Sequence, residues 1–323
     1  MNTQSNTMPN SFASSAAEPR AISVGQHFYW SVRRELWENR SLYLAPLGAA
    51  VLYVLGFLIS LSHFAHRVRS AADPMLLHDH IEQPYTLAAL LIMGSTLIVG
   101  WIYSLDALYG ERRDRSILFW KSLPISDSAT VLSKVISAVL IAPIAVVACG
   151  VLTGIVMLMM FAIALSFHGV SVWSLLALAH PFQVVGFLIG SIPLYLLWAL
   201  PTVGWLMLCS SWARAKPFLW AVVIPVALGV MISWFNLLGS AGFKSSWYWR
   251  DIVARVLFSV FPGGWLRDTA AHQLDKDPQS IGHFFNLSNS YAVLATPDIW
   301  IGAAAGIAML AGAVWFRRWR DDS

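Results

Sequence analysis

The chain has 323 residues, 57% of them hydrophobic and only 12% charged, with a formal net charge of +4. Soluble domains carry about twice that charged share. Together with a mean hydropathy of +0.62, this excludes an ordinary soluble fold and predicts an all-α integral membrane protein, because helices satisfy their own backbone in lipid.

Residues 1–22 are rich in Ser, Asn and Ala, show no apolar period, and read as a disordered tail rather than a signal peptide. Residues 23–41 change character. Phe28, Val32 and Leu36 recur at helical spacing, while Arg33, Arg34, Glu35 and Arg40 cover another face. This pattern predicts an amphipathic helix lying in the membrane interface. A six-helix transmembrane domain follows over residues 42–316, with apolar runs long enough to cross ~30 Å of hydrocarbon. The spans are read as Leu42–Leu61, Tyr85–Leu108, Thr130–Leu165, Pro181–Trp212, Phe218–Leu238 and Ile299–Phe316. The third and fourth exceed the length needed and are expected to tilt, protrude or kink at Pro143, Pro193 and Pro201.

Between the first two spans lie His63, His66, His78 and His80, with Asp73, Asp79 and Glu82. The spacing permits Zn or Cu binding, but a solvated loop without metal is the simpler reading. The segment DALYGERRDRSILFWKSLPISDSATVLSK, Asp106 to Lys134, is a short basic island between two apolar runs. Its Arg112, Arg113, Arg115 and Lys121 would each cost ~2.5–3.5 kcal/mol at the bilayer centre, so they belong in water. Its Ile117, Leu118, Phe119 and Trp120 are too apolar for a plain connection. A helix over residues 110–125 that presents both faces is suited to docking on another protein, although anionic lipid could also hold it.

Pairs of glycine four residues apart, Gly150 with Gly154, Gly186 with Gly190 and Gly302 with Gly306, allow close helix approach. They serve either packing within the chain or a seam between subunits. Residues 239–297 form a long loop before the last span. Within it, IVARVLFSVFPGGWL (Ile252 to Leu266) is too short and too charged to cross, and suits either an interfacial or re-entrant helix pair broken at Pro262-Gly263-Gly264 or a buried external subdomain. Residues 317–323 are a basic tail. Cys149 and Cys209 both lie in spans and read as packing residues.

Counting Lys and Arg by side, 14 of 21 fall with the two chain ends, the island and the short turn that carries Arg214 and Lys216, which assigns both termini to the cytoplasm. The isoelectric point near 9.2 reports this bias, not a nucleic-acid partner. No phosphate-loop or HExxH zinc motif occurs. The nearest approach to the former, Gly239 to Ser245, lacks the Gly-Lys pair. The chain is therefore read as no enzyme, with no cofactor of its own. Ionisable residues are missing from mid-span, where ion-coupled carriers generally place them, so energy for transport would come from elsewhere. A stand-alone secondary transporter or channel, or an integral membrane enzyme, remains the alternative class.

The island closes with Leu123-Pro124-Ile125-Ser126 after an acidic-basic start and an apolar middle. In this it resembles the loop after the second helix of ABC-2 type ABC transporter permeases, where that sequence forms the coupling helix. Leu200 to Pro225 is similar to the fourth-to-fifth helix region of the same family, and the likeness covers most of the chain. The resemblance implies a dimeric exporter permease in the bacterial inner membrane, its second permease chain being identical. Its coupling helices would dock on cytoplasmic ATP-binding cassette subunits, which hold the ATP and Mg. It assigns the docking positions to Glu111, Arg112, Arg113, Asp114, Arg115, Phe119, Trp120, Lys121 and Pro124. Some family members carry acidic residues later in this helix, where Phe119-Trp120-Lys121 stand here.

Six spans place Ser122 and Gln279 on opposite sides of the membrane. Single cysteines introduced there should label from opposite faces in sealed vesicles, and labelling from one face alone would refute the topology.

Overall fold

In the computed structural model, residues 24–70, 74–117, 120, 125–166, 181–238, 245–261, 263–266 and 287–319 are described. Six helices are long and apolar enough to span a membrane. In chain order, α1 is Val24–Glu38, α2 Ser41–Ser70 and α3 Pro74–Arg113. Helix α4 comprises Asp127–Ile136, a π-turn at Ser137–Ile141 and Ala142–Ser166. Helices α5, α6 and α7 are Pro181–Gly190, Ile192–Trp212 and Pro217–Leu237. Helix α8 joins Ser245–Trp247, a π-turn at Tyr248–Val253 and Ala254–Phe258. Helix α9 is Leu287–Tyr291, and α10 is Pro297–Trp319.

Helix α6 is the spine. It is 56% buried inside the molecule, against 17% for α2 and for α7, which turn apolar side chains outward. Ile59 is 82% and Leu237 81% exposed. Such a surface is tolerable where the surrounding solvent is lipid. Around α6 gather Leu42, Val99, Leu108, Val131, Val135, Ile299 and Ala313, forming the main core. The six antiparallel spans return both described chain ends to one end of the bundle, here called the near end.

Three sequence expectations need correcting. The fourth span is broken at Ser191: α5 ends at Gly190 and α6 restarts with Pro193 in its first turn. There the missing proline N–H costs nothing. The stretch between the first two spans is largely helix rather than loop, since α2 continues to Ser70 and α3 begins at Pro74. The expected coupling helix is not continuous over residues 110–125. Its first residues finish α3, and the chain then turns at Arg115, whose φ is 55°, before a helical hydrogen bond resumes from Trp120 N–H to the Ser116 carbonyl.

The Gly302–Gly306 spacing is used within the chain, where α10 crosses α6. A Cβ on Gly204 would stand 2.6 Å from the Gly306 carbonyl oxygen, and one on Gly306 2.6 Å from the Leu200 carbonyl oxygen. These are backbone atoms and cannot step aside. Proline in the membrane is handled locally. Pro225 cannot donate to the Ala221 carbonyl four residues earlier, and the Trp205 indole N–H donates to that oxygen instead, at 2.9 Å.

Helix α8, too short to cross the bundle, packs against α6 and α7. Its end is capped by side chains from the spans, as buried backbone requires. Thr202 Oγ1, midway along α6, donates to the Arg255 carbonyl at 2.7 Å and accepts from Ser259 N–H at 2.9 Å. Trp101 Nε1 donates to the Leu257 carbonyl at 2.6 Å, and the Tyr195 hydroxyl to that of Val260 at 3.1 Å. Pro262 lies outside the described residues, and Gly263 takes a left-handed φ of 85°, which suits glycine.

Gly306→Val should destabilise the protein by about 1–3 kcal/mol or more through overpacking, lowering its thermal midpoint in detergent. Gly56→Ala, where an added Cβ meets nothing within 4 Å, should leave the midpoint unchanged.

Candidate functional site

At the near end, four separate segments contribute charge to one buried cluster. Glu35 comes from α1, Glu111 from the end of α3, Asp127 and Lys134 from the first turns of α4, and Arg317 from the end of α10. The start of α4 is held by Ser126, whose hydroxyl accepts from Ala129 N–H at 3.2 Å. Asp127 then occupies the first turn, where a negative charge suits the helix dipole.

Lys134 Nζ donates to Glu35 Oε1 at 2.7 Å and pairs with Glu111 Oε1 at 3.0 Å. Glu111 Oε2 in turn accepts from Arg317 Nη1 at 2.6 Å, and Arg317 Nε donates to Asp127 Oδ1 at 3.0 Å. Arg34 adds a third cation, at 3.2 Å from Glu35 Oε1 and 3.9 Å from Glu111 Oε1. Asn39 Nδ2 donates to Glu35 Oε2, and the Tyr103 hydroxyl stands 3.1 Å from the same oxygen. Three carboxylates thus meet three cations.

Burial decides what this cluster is worth. Glu35 is 0%, Lys134 3% and Arg317 5% exposed, so these are not the weak pairs of a wet surface. Ions taken out of water are tolerable only when fully paired, and removing one partner strands the others. Next to the cluster, partial desolvation by the packed helix ends raises the Glu38 carboxyl above its ordinary range, although half of its side chain is exposed. The Glu35 and Glu111 carboxylates push the same way, while Arg34 and Lys134 oppose them.

Of the docking residues named from the sequence, Glu111 is thus turned into the bundle. Arg112 reaches across to α6, donating from Nη2 to the carbonyl oxygens of Ser210 and of Ala213, the latter at 3.0 Å. Ser210 answers with its hydroxyl, which accepts from Leu108 and Tyr109 N–H. The island and the turn after α6 are therefore tied together. Arg113 and Asp114 pair with one another at 3.0 Å on the surface, and Arg115 beside them is exposed. Ile117, apolar enough to serve as a docking anchor, is instead buried within the chain. The Arg34 guanidinium lies 3.7 Å from the centroid of the Trp120 ring, a cation–π contact between α1 and the island. Phe119, Lys121 and Pro124 lie outside the described residues.

Helix α1 inverts part of its expected pattern. Glu35, assigned to the polar outer face, is its most buried residue, while Tyr29, Trp30 and Trp37 are exposed. Sequence reasoning missed Glu35 and Arg317 as partners. The available signal was an acid between Val32 and Leu36, beside the apolar stripe, and an arginine directly following Phe316. Of the candidate metal ligands, His63 is exposed at the end of the first apolar span. The side chains of His66, His78 and His80 lie outside the described residues. Among the described residues no group of three His, Cys, Asp or Glu could hold a metal ion.

Lys134→Met should destabilise the protein by about 3–5 kcal/mol, by stranding the Glu35 and Glu111 carboxylates. Adding Glu35→Gln should recover part of that loss, giving a non-additive double-mutant cycle in thermal unfolding. Strict additivity would mean that the two groups do not interact.

Compared with protein-family models, curated proteins and solved structures, the chain matches none.

Proposed function

We propose that this protein is the transmembrane permease subunit of an ATP-binding cassette exporter, moving its substrate by alternating access driven by a separate cytoplasmic ATPase subunit. The near end, with both termini, faces the cytoplasm of a bacterial inner membrane. A second copy of the permease completes the transporter. ATP and Mg belong to the partner, and this chain has no chemistry of its own.

The observation that carries the reading is the position of Glu111. It stands two residues before the exposed Arg113-Asp114-Arg115 turn and is ion-paired to both Lys134 and Arg317. A force on the turn is delivered at once to the starts or ends of α1, α4 and α10. Arg112 delivers it to the α6–α7 turn as well. Packed, charge-paired elements shift as units rather than deform. That is what a docking element needs if closure of an ATPase is to rock the spans.

The exposed Arg113, Asp114 and Arg115 supply charges that would set register on the partner. The aromatic pair Phe119 and Trp120 supplies anchors of the kind that dominate interfaces. Phe119→Ala with Trp120→Ala should weaken ATPase-subunit binding by about 2–4 kcal/mol, measured by pull-down and by stimulated ATP hydrolysis in liposomes. Arg113→Glu should do less, with an effect that shrinks as salt rises. Full binding and full stimulation in the double variant would show that the island is not the coupling element.

A further inference from the structure

A second cluster lies at the far end of the bundle, and it is built only of donors. Arg255, on α8, stacks on Trp198 of α6, its Cζ 3.7 Å from the ring centroid. Trp198 meets Trp265 edge-on, ring centroids 6.2 Å apart and planes at 76°. Arg255 Nη2 donates to the Asp298 carbonyl at 3.2 Å and lodges against Gly302 of α10. The remaining guanidinium nitrogen Nη1, Trp198 Nε1 and Trp265 Nε1 are all buried, and none has a hydrogen-bond partner. Trp265 is only 5% exposed.

Buried donors without acceptors are rare and costly, and three on side chains that meet through Trp198 call for an explanation. Charge sharpens the case. No carboxylate stands within ion-pair distance of Arg255 among the described residues. Asp298 and Asp251 act on it only at longer range, and Asp251 is paired with Arg250 at 3.0 Å. Trp198 offers the cation a π-face, which offsets part of the desolvation but accepts no hydrogen bond. A guanidinium set into a membrane bundle in this way marks a functional position. Glycine at 264 and 302 leaves the room, since a Cβ at 264 would stand 3.0 Å from Trp198 Nε1 and one at 302 would collide with Arg255.

We propose that Arg255, Trp198 and Trp265 form a binding site for a phosphate-class anion, carried by an amphiphile that enters from the surrounding lipid. The donor set fixes the polar half of the ligand: acceptor oxygens and a negative charge, with no donor to satisfy. The rim fixes the other half. Phe258, one helical turn beyond Arg255, and Ile301, one turn beyond Asp298, are both more than half exposed and would lie along an acyl chain. The site stands whether or not the chain is a permease.

The test is thermal unfolding of the full chain in mild detergent, titrated with phosphatidylglycerol, phosphatidylcholine or inorganic phosphate. Phosphatidylglycerol should raise the midpoint saturably and phosphatidylcholine should not. Arg255→Gln should weaken half-saturation at least about thirtyfold, as loss of a buried charge pair does. Trp265→Phe, which keeps an aromatic ring but removes the pyrrole half of the indole with its N–H, should weaken it about three- to tenfold. Should Arg255→Gln fail to fold, Arg255→Lys and Trp265→Phe carry the same comparison. A saturable shift with inorganic phosphate that depends equally on Arg255 would support the anion site and assign its occupant to the aqueous phase. Equal shifts with phosphatidylcholine, no shift with any of the three, or unchanged titrations in the variants would overturn the proposal.

Discussion

The pairing of Lys134 with two carboxylates, Glu35 at 2.7 Å and Glu111 at 3.0 Å, is the constraint on which the near end of the molecule depends. One ammonium joins α1, the end of α3 and the start of α4. Arg317 continues the chain of charge to α10 through the other Glu111 oxygen. In a bundle held largely by non-directional apolar packing, these bonds set which helix ends meet and at what register. Replacing such a cluster with apolar residues of equal volume is often neutral or stabilising elsewhere. Its value here is the specific joining of elements far apart in sequence.

The same demand for satisfied polar groups shapes the interior of the spans. Helix α8 stops inside the bundle, which strands carbonyl groups that water cannot reach. Thr202, Trp101 and Tyr195 supply the missing donors from α6 and α3. Trp205 does so for the carbonyl freed by Pro225. Irregular backbone in a membrane is permissible only where protein takes the place of solvent. The aromatic richness of the chain is thus partly a supply of donors on long, rigid arms.

Between the two ends runs the α6–α10 contact, where Gly204 and Gly306 let backbones touch. The close crossing leaves little freedom for one helix to slide against the other. It connects the charged cluster around Arg317 with the donor cluster around Arg255, since α10 carries one partner of each.

The sequence by itself determined the membrane class, the six span-length helices, the helix before the first of them and the singular character of the island. Those follow from local quantities: run length, hydropathy and the spacing of apolar residues along one helix. It also marked a non-crossing element that breaks near Pro262-Gly263-Gly264, because a charged run of that length cannot cross. Tertiary structure alone decided that Glu35 faces inward, that Glu111 is shared between Lys134 and Arg317, and that Ile117 is buried. It likewise decided that Gly302 and Gly306 serve contact within the chain. The partners Glu35 and Lys134 are 99 residues apart, and Glu111 and Arg317 206. No periodicity reaches that far, so the reading of α1 as a helix with a charged outer face was sound by composition and wrong at its most important residue. The physical reason is that a helix pattern reports how apolar a face is. Whether a charge on that face has a partner depends on which other helix ends arrive beside it.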